Sequence, residues 1–142
     1  MKHTFEQRVF YADTDCYGVV WHGSYLRWLE RGRVELCEQL GHSLLKLTEE
    51  QDILLPVINM NVKYKMSAKL NDEIIIESEI SKFNGFSVSF KQAIKLKSTG
   101  KTLIEAEFEA VATSRSTGKL YRRMPEILAK TFEGELKCLQ PA

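Results

Sequence analysis

Cysteine and long apolar runs are scarce in this chain, and each shortage excludes a class of protein. The three cysteines, Cys16, Cys37 and Cys138, are far apart and lack CxxC spacing, so neither a disulfide framework nor a zinc site is indicated. We expect all three to be reduced thiols. No apolar run approaches the roughly 18 residues that a membrane span needs, and the start of the chain lacks the hydrophobic centre of a signal peptide. A cytoplasmic protein without a membrane span is therefore expected.

An excess of charge of one sign is lacking too, because 20 Lys and Arg residues against 19 Asp and Glu residues leave a net charge of +1. No overall field favours nucleic acid or an anionic membrane, so any basic site must be local. Walker and GxGxxG loops are also missing, and we expect no nucleotide cofactor and no metal. With three prolines and eight glycines among 142 residues, the composition is ordinary and predicts one globular domain over 1–142.

The hydrophobic pattern predicts one long helix in the first third of the chain. Apolar residues recur at helical spacing from His22 or Gly23 to Leu40. Ser24 is the expected N-cap and Gly41 the expected residue just beyond the C-terminus. The helix is long enough to cross a small sheet, and a second, short helix is predicted over 43–51.

Most of the remaining chain alternates apolar and polar residues, which predicts strands. These strands cover 4–11, 58–66, 73–83, 86–96 and 104–112. Asn84-Gly85 predicts a two-residue type I′ hairpin turn. The strands after the helices are expected to form an antiparallel meander ending over 120–124, followed by a helix from Pro125 to about 136. A sheet of five or more strands around one long helix is α+β architecture, and its open edge suggests dimerisation.

The densest group of reactive side chains lies between the first strand and the long helix. Residues 11–25 read YADTDCYGVVWHGSY and contain carboxylates, a thiol, an imidazole and hydroxyls. This segment leads into a helix N-terminus, where unpaired amides and the helix dipole favour negative charge. An oxyanion that formed there would be stabilised.

Residues 11–41 resemble the signature of the 4-hydroxybenzoyl-CoA thioesterase family of the hotdog-fold superfamily, especially its bacterial acyl-CoA thioesterase branch related to the Tol-Pal-associated enzymes. The matching elements are a Tyr before DTD, a Gly three residues after it, Val-Val-aromatic-His, Tyr-Leu, and Arg-x-Glu before a Gly. They are present as Tyr11, Asp13, Asp15, Gly18, Val19, Val20, Trp21, His22, Tyr25, Leu26, Arg33, Glu35 and Gly41. The resemblance implies a hotdog fold, a homodimer or homotetramer, and hydrolysis of an acyl-CoA thioester to free acid and CoA.

The same resemblance implies roles for individual residues. The family's catalytic carboxylate is the second Asp of this motif, which corresponds to Asp15. It either attacks the thioester carbonyl to form a mixed anhydride or activates water for that attack. The backbone amides of His22 and Gly23 would receive the oxyanion, the His22 side chain would help to position substrate or water, and Tyr11 is a further catalytic candidate.

Two groups of residues are candidates for binding the substrate. Trp21 and Tyr25 would line an acyl pocket, although aromatic residues on a helix belong to the core by default. The phosphates of CoA require cations, and the most basic stretch, 114–125, contributes Arg115, Arg122 and Arg123. The alternative for that stretch is a hairpin turn with solvated charges.

Several residues compete with Asp15 for the catalytic role. Asp13 is a second possible base, although ordering of the loop is its expected task. Cys16 would be a thiol nucleophile with His22 as its base. Other hotdog thioesterases carry the carboxylate in the central helix, which makes Glu30 and Glu35 rivals. Because Arg33 and Glu35 lie two residues apart on different helix faces, both are expected on the helix surface or in subunit contacts.

Alternative functions also remain open at the level of sequence. The first alternative is a thioesterase with another substrate, either an acyl carrier protein thioester or an aromatic acyl-CoA, such as hydroxybenzoyl- or dihydroxynaphthoyl-CoA. A hotdog dehydratase acting on 3-hydroxyacyl thioesters is a second alternative. The third, from another class, is a protein that binds acyl-CoA without turning it over.

Overall fold

The computed structural model describes residues 1–139. Its elements in chain order are β1 (Lys2–Arg8), α1 (His22–Gln39), α2 (Leu44–Gln51), β2 (Val57–Tyr64), β3 (Glu73–Phe83), β4 (Ser87–Leu96), β5 (Thr102–Val111) and α3 (Glu126–Leu139). None of the helices in this part of the chain is long and apolar enough to cross a membrane. Cys16 and Cys37 are free thiols, as predicted; Cys138 lies outside the residues whose side chains are described.

The strands form one antiparallel sheet in the order β1-β3-β4-β5-β2. Strands β3, β4 and β5 follow one another as a meander, but β2 pairs with β5 and not with β3. The predicted meander is therefore wrong at one step, because alternation identifies the buried face of a strand but not its neighbour. The expected continuation of the sheet over 120–124 is also wrong, since in the part of the chain that the structure describes this segment forms only a single bridge, from Leu120 to Thr113.

Helix α1 packs across one face of this sheet and supplies much of the core. Leu29 and Leu36 on the helix are fully buried, as are Ile76, Ile94 and Ile104 on the sheet. Burial of each such side chain stabilises the fold by about 1.5–3 kcal/mol. One long helix against a five-stranded antiparallel sheet is the α+β architecture that the sequence predicts.

The limits of α1 agree with the prediction to within one residue, but its first turn does not. Gly41 follows the helix with a φ of 97°, as expected for a residue that ends a helix. Trp21, and not Ser24, occupies the N-cap position. Ser24 is buried inside the helix, where its hydroxyl donates to the carbonyl oxygen of Asp13 at 3.0 Å. Its side chain therefore ties the helix to the preceding loop instead of capping it.

The β3–β4 hairpin forms where predicted, but its turn is not type I′. Gly85 has a φ of 88°, whereas Asn84 does not adopt the left-handed conformation. The Asn84 side-chain oxygen instead accepts the amide hydrogens of Phe86 and Ser87, at 2.9 and 2.7 Å. These side-chain bonds close a longer turn, a common use of asparagine that a two-residue pattern does not reveal.

A buried polar contact joins α1 to the sheet. The Gln92 amide nitrogen donates to the carbonyl oxygen of Leu29 at 2.8 Å and to Ser78 Oγ at 2.7 Å. Arg33 donates to Gln92 Oε1 at 3.0 Å, and its guanidinium carbon lies 3.9 Å from the centre of the Phe108 ring. Of the two predicted positions for Arg33, the helix surface is wrong, because its long side chain reaches down to the sheet; a subunit contact stays a prediction.

Gly32 permits this close approach of helix and sheet. A Cβ at Gly32 would lie 2.5 Å from Ser78 Oγ and 2.9 Å from Gln92 Nε2. We expect Gly32→Ala to lower the free energy of unfolding by about 1–3 kcal/mol, because an overpacked site displaces hydrogen-bonded buried groups. Urea denaturation measures this change.

Gly134→Ala in α3 is the matched control, because a Cβ there meets no other atom of residues 1–139 within 4 Å. Alanine is favoured over glycine inside helices, so this control is expected to be neutral or stabilising. Equal stability of the two variants would show that close packing at Gly32 contributes nothing.

Candidate active site

The segment between β1 and α1 folds back on itself as a short ladder. Strand β1 ends at Arg8, earlier than predicted, and one turn of 3-10 helix follows at Tyr11–Asp13. The Asp15 amide donates to the Val19 carbonyl, Thr14 bridges to Val20, and the Trp21 amide donates to the Asp13 carbonyl at 2.9 Å. Residues 13–15 therefore run antiparallel to 19–21, which places Asp15 beside the residues that lead directly into α1.

Asp13 holds the ladder together. Its carboxylate accepts the Phe10 amide hydrogen at 2.9 Å, and its carbonyl oxygen accepts from both Trp21 and Ser24. These contacts are all within the loop and the first turn of the helix. They fit the loop-ordering task that the sequence indicates for Asp13.

Asp15 has a different environment. The side chain is half-buried, and Oδ1 accepts the Tyr17 amide hydrogen at 2.8 Å. Gly18, with a φ of 79°, allows the tight turn that returns the chain from Asp15 to Val19. Within residues 1–139, Oδ2 of Asp15 forms no hydrogen bond. One oxygen thus fixes the carboxylate while the other is available for chemistry.

The N-terminus of α1 offers unpaired hydrogen-bond donors. Trp21 at the N-cap position makes no side-chain capping bond within residues 1–139. In the described part of the chain, the amides of His22 and Gly23 donate no hydrogen bond. Such amides, together with the positive end of the helix dipole, are suited to bind an oxyanion.

Aromatic rings surround this helix terminus. The exposed His22 ring stands edge-on to Tyr64, with ring centres 5.1 Å apart. Trp21 is 55% exposed and lies over Gly23, where a Cβ would come within 2.1 Å of the indole. Glycine is therefore needed at position 23 for this placement of the indole. Sequence reasoning missed Tyr64, whose only signal is its place at the end of the β2 alternation.

The other two aromatic candidates are placed very differently. Tyr25 is only 3% exposed, and its hydroxyl accepts the Ala68 amide hydrogen at 2.8 Å. Burial raises the pKa of Tyr25, which keeps the phenol neutral. The Tyr11 side chain is 81% exposed, and no hydrogen bond in residues 1–139 joins it to Asp15.

The rival nucleophiles and carboxylates are less well placed. Cys16 is exposed and forms no hydrogen bond to His22 within the described residues. Burial raises the pKa of the Cys37 thiol to about 12, so that it stays protonated. Glu35 accepts from Arg31 Nε, and Glu30 lies two turns beyond His22, about 12 Å along the helix.

The basic stretch lies at the opposite end of the sheet from Asp15. Tyr64, against His22, pairs with Ile104 near the start of β5, whereas Arg115, Arg122 and Arg123 follow Val111 at its end. The seven residue steps from Ile104 to Val111 correspond to about 23 Å of strand. All three arginines are exposed. Within one chain, the structure does not bring them to the Asp15 loop.

Comparison with known proteins gives a consistent result. The family model described as the thioesterase-like superfamily matches residues 9–132. The acyl-CoA thioester hydrolase YbgC of Escherichia coli O6:H1 is 35% identical over 130 residues, which cover 92% of each chain. The acyl-CoA thioesterase YbgC of Haemophilus influenzae is 37% identical over 91 residues, 64% of this chain and 67% of the relative.

The fold has a close match among solved structures. The crystal structure of a DHNA-CoA thioesterase from Staphylococcus aureus superimposes with a TM-score of 0.87 at 26% sequence identity. The match covers 97% of this chain and 92% of that one. The agreement therefore extends over nearly the whole chain.

Proposed function

Since the chain belongs to the thioesterase-like superfamily and has the hotdog fold, we propose that it hydrolyses acyl-CoA thioesters to a free acid and CoA. One observation carries this proposal: the Asp15 carboxylate, with one oxygen that accepts no hydrogen bond from residues 1–139, lies on a ladder that leads into the α1 amides that are unpaired in the same residues. A carbonyl group placed between them would meet a base or nucleophile on one side and oxyanion donors on the other.

The proposed reaction needs only water as a second reactant. In one course, Asp15 Oδ2 bonds to the carbonyl carbon, the C–S bond breaks, and CoA leaves as its thiolate, which takes up a proton. Water then cleaves the mixed anhydride. In the other course, Asp15 takes a proton from a water molecule as that water attacks the same carbon. Amides of His22 and Gly23 hold the oxyanion in both, and the exposed His22 ring positions substrate or water.

The proposed enzyme is a homo-oligomer, and the edge strand β2 supports this. Among the described residues, only β5 pairs with β2, which leaves the second edge of β2 open in that part of the chain. Its apolar side chains are also exposed to solvent: Ile58 is 54%, Met60 56% and Tyr64 44% exposed. An open, apolar edge strand is suited to pair with a second copy.

A two-fold pairing of β2 would also complete the site. Antiparallel pairing places the Val57 end of one β2 beside the Tyr64 end of the other. The bridge from Leu54 to Thr113 ties the turn carrying Arg115 to the Val57 end. Arg115 of the partner subunit would then lie at the end of the sheet that carries Asp15 and His22. Arg122 and Arg123 belong to the same basic stretch, and together these cations would bind the CoA phosphates.

A panel of thioesters tests the proposed function. Purified protein is expected to release free thiol from at least one aliphatic or aromatic acyl-CoA, including hydroxybenzoyl- and dihydroxynaphthoyl-CoA, and a thiol reagent follows the release. Thioesters of acyl carrier protein are assayed separately in the same way. Saturable binding without thiol release would instead indicate a binding protein, and loss of water from 3-hydroxyacyl thioesters would indicate a dehydratase. An acyl-CoA substrate agrees with the expected cytoplasmic location.

A further inference from the structure

Asp52 connects the end of α2 to the basic stretch. It caps the C-terminus of the helix in the left-handed conformation, with a φ of 57°. Its carboxylate accepts hydrogen bonds from the hydroxyl of Ser114, from the hydroxyl of Ser116 at 2.8 Å and from the amide of Ser116 at 2.9 Å. Its carbonyl oxygen accepts from the Tyr121 hydroxyl at 2.9 Å. One residue thus holds both sides of the turn over 114–121.

These contacts determine which donors and cations of the turn remain free to bind a ligand. The Ser114 hydroxyl and both donors of Ser116 are bonded to the Asp52 carboxylate. The hydrogen bond from Ser114 is the largest of the effects that lower the pKa of Asp52. The side chains of Arg115 and Lys119, by contrast, are exposed. An anion that bound this turn would therefore be held by Arg115 and Lys119 and not by those bonded donors.

We propose that Asp52 is a positioning residue, which fixes the Ser114–Tyr121 turn so that Arg115 and Lys119 are held ready to bind the phosphates of a CoA thioester. This inference rests on the proposed thioesterase function. A turn ordered before binding loses less conformational entropy when the ligand arrives, which increases affinity without any new contact. Asp52 itself has no role in the chemistry at Asp15.

Electrostatics alone makes the opposite prediction. A carboxylate near two cations repels phosphate, so its removal would tighten CoA binding if charge were its only effect. Loss of the ordered turn would instead weaken binding. The direction of the change in KM therefore separates a positioning role from a simple charge effect.

The test compares two thioesters of the same acyl group, one on CoA and one on pantetheine, which lacks the nucleotide and its phosphates. Asp52→Gly is the variant of choice, because glycine adopts the left-handed conformation without strain. We expect KM for the acyl-CoA to rise about tenfold, which corresponds to about 1.4 kcal/mol. Both kcat values, and KM for the pantetheine thioester, are expected to stay within about twofold of wild type.

Two further variants serve as controls. Glu50→Gln removes a neighbouring exposed carboxylate of α2 that makes no hydrogen bond or ion pair in residues 1–139, and it should leave KM for acyl-CoA unchanged. Arg115→Ala should raise KM by itself, but it should add little in the Asp52→Gly background, because the two residues act as one unit.

Each contrary result has its own meaning. An unchanged or lower KM for acyl-CoA in Asp52→Gly overturns the inference, and so does an equal loss with both thioesters. If the wild type hydrolyses neither thioester, the proposed function fails. Calorimetric titration of CoA into the wild type and Asp52→Gly then tests the turn directly, and equal affinities, or no binding to either, overturn the positioning role.

Discussion

Asp15→Asn is expected to lower kcat for acyl-CoA hydrolysis by about 10²-fold or more, because the substitution removes the nucleophile or general base. The fold should be retained, since the asparagine side-chain oxygen still accepts the Tyr17 amide hydrogen that Oδ1 accepts in the wild type. KM should change little if substrate binding depends on groups other than this carboxylate. Steady-state kinetics together with thermal unfolding separate loss of chemistry from loss of structure.

Asp13→Asn provides the matched comparison, because Asp13 is the other carboxylate of the same ladder. Its contacts are with the Phe10 amide and with the start of α1, so its substitution is expected to affect stability more than the chemical step. A larger fall in kcat for Asp13→Asn than for Asp15→Asn would indicate that Asp13 is the catalytic carboxylate and that Asp15 orders the loop. Full activity of Asp15→Asn would remove the proposed mechanism altogether.

Mixing two inactive or weakened variants is expected to restore activity, because Asp15 and Arg115 of one site come from different copies in the proposed assembly. One chain carries Asp15→Asn and the other Arg115→Ala. In a mixed dimer, one site receives both substitutions and the other receives neither. Random re-association should therefore give about a quarter of wild-type activity at low substrate concentration.

The matched control mixes the Asp15→Asn chain with a chain that carries both substitutions, because no mixed dimer then has an intact site. Refolding from denaturant ensures exchange of subunits, and size-exclusion chromatography measures the oligomeric state of each mixture. Activity of the first mixture no greater than the average of its two components would show that each site lies within one chain.

The local spacing of apolar and polar residues was enough to predict the long helix, the limits of most strands and the loop that carries Asp15. Long-range neighbours were not predicted, as the pairing of β2 with β5 shows. The alternation in β2 identifies one apolar face, but the residues that pair with it on β5 lie 40 to 53 positions later in the chain, and alternation does not show which strand is the neighbour. The same limit applies to Arg33, whose contact Gln92 is 59 residues away.

The solvent exposure of individual side chains within residues 11–25 was equally hard to predict from the sequence. Trp21 and Tyr25 are four residues apart and both aromatic, but one is 55% and the other 3% exposed. The difference arises because Tyr25 lies on the sheet-facing side of α1, whereas Trp21 precedes the helix. Asp52 gave no signal at all, since its role depends on hydroxyl groups more than 60 residues later in the chain.

The ladder between residues 13–15 and 19–21 has an evolutionary consequence. The register of this ladder, and not the side chains at its tip, sets the place of the carboxylate relative to the start of α1. Even the Tyr17 contact uses the main-chain amide. Descendants of this chain can therefore exchange the side chains of Cys16 and Tyr17 while inheriting Asp15 and the helix terminus as one unit. Under the proposed function, substrate preference can diverge at that tip while the proposed chemistry at Asp15 is kept.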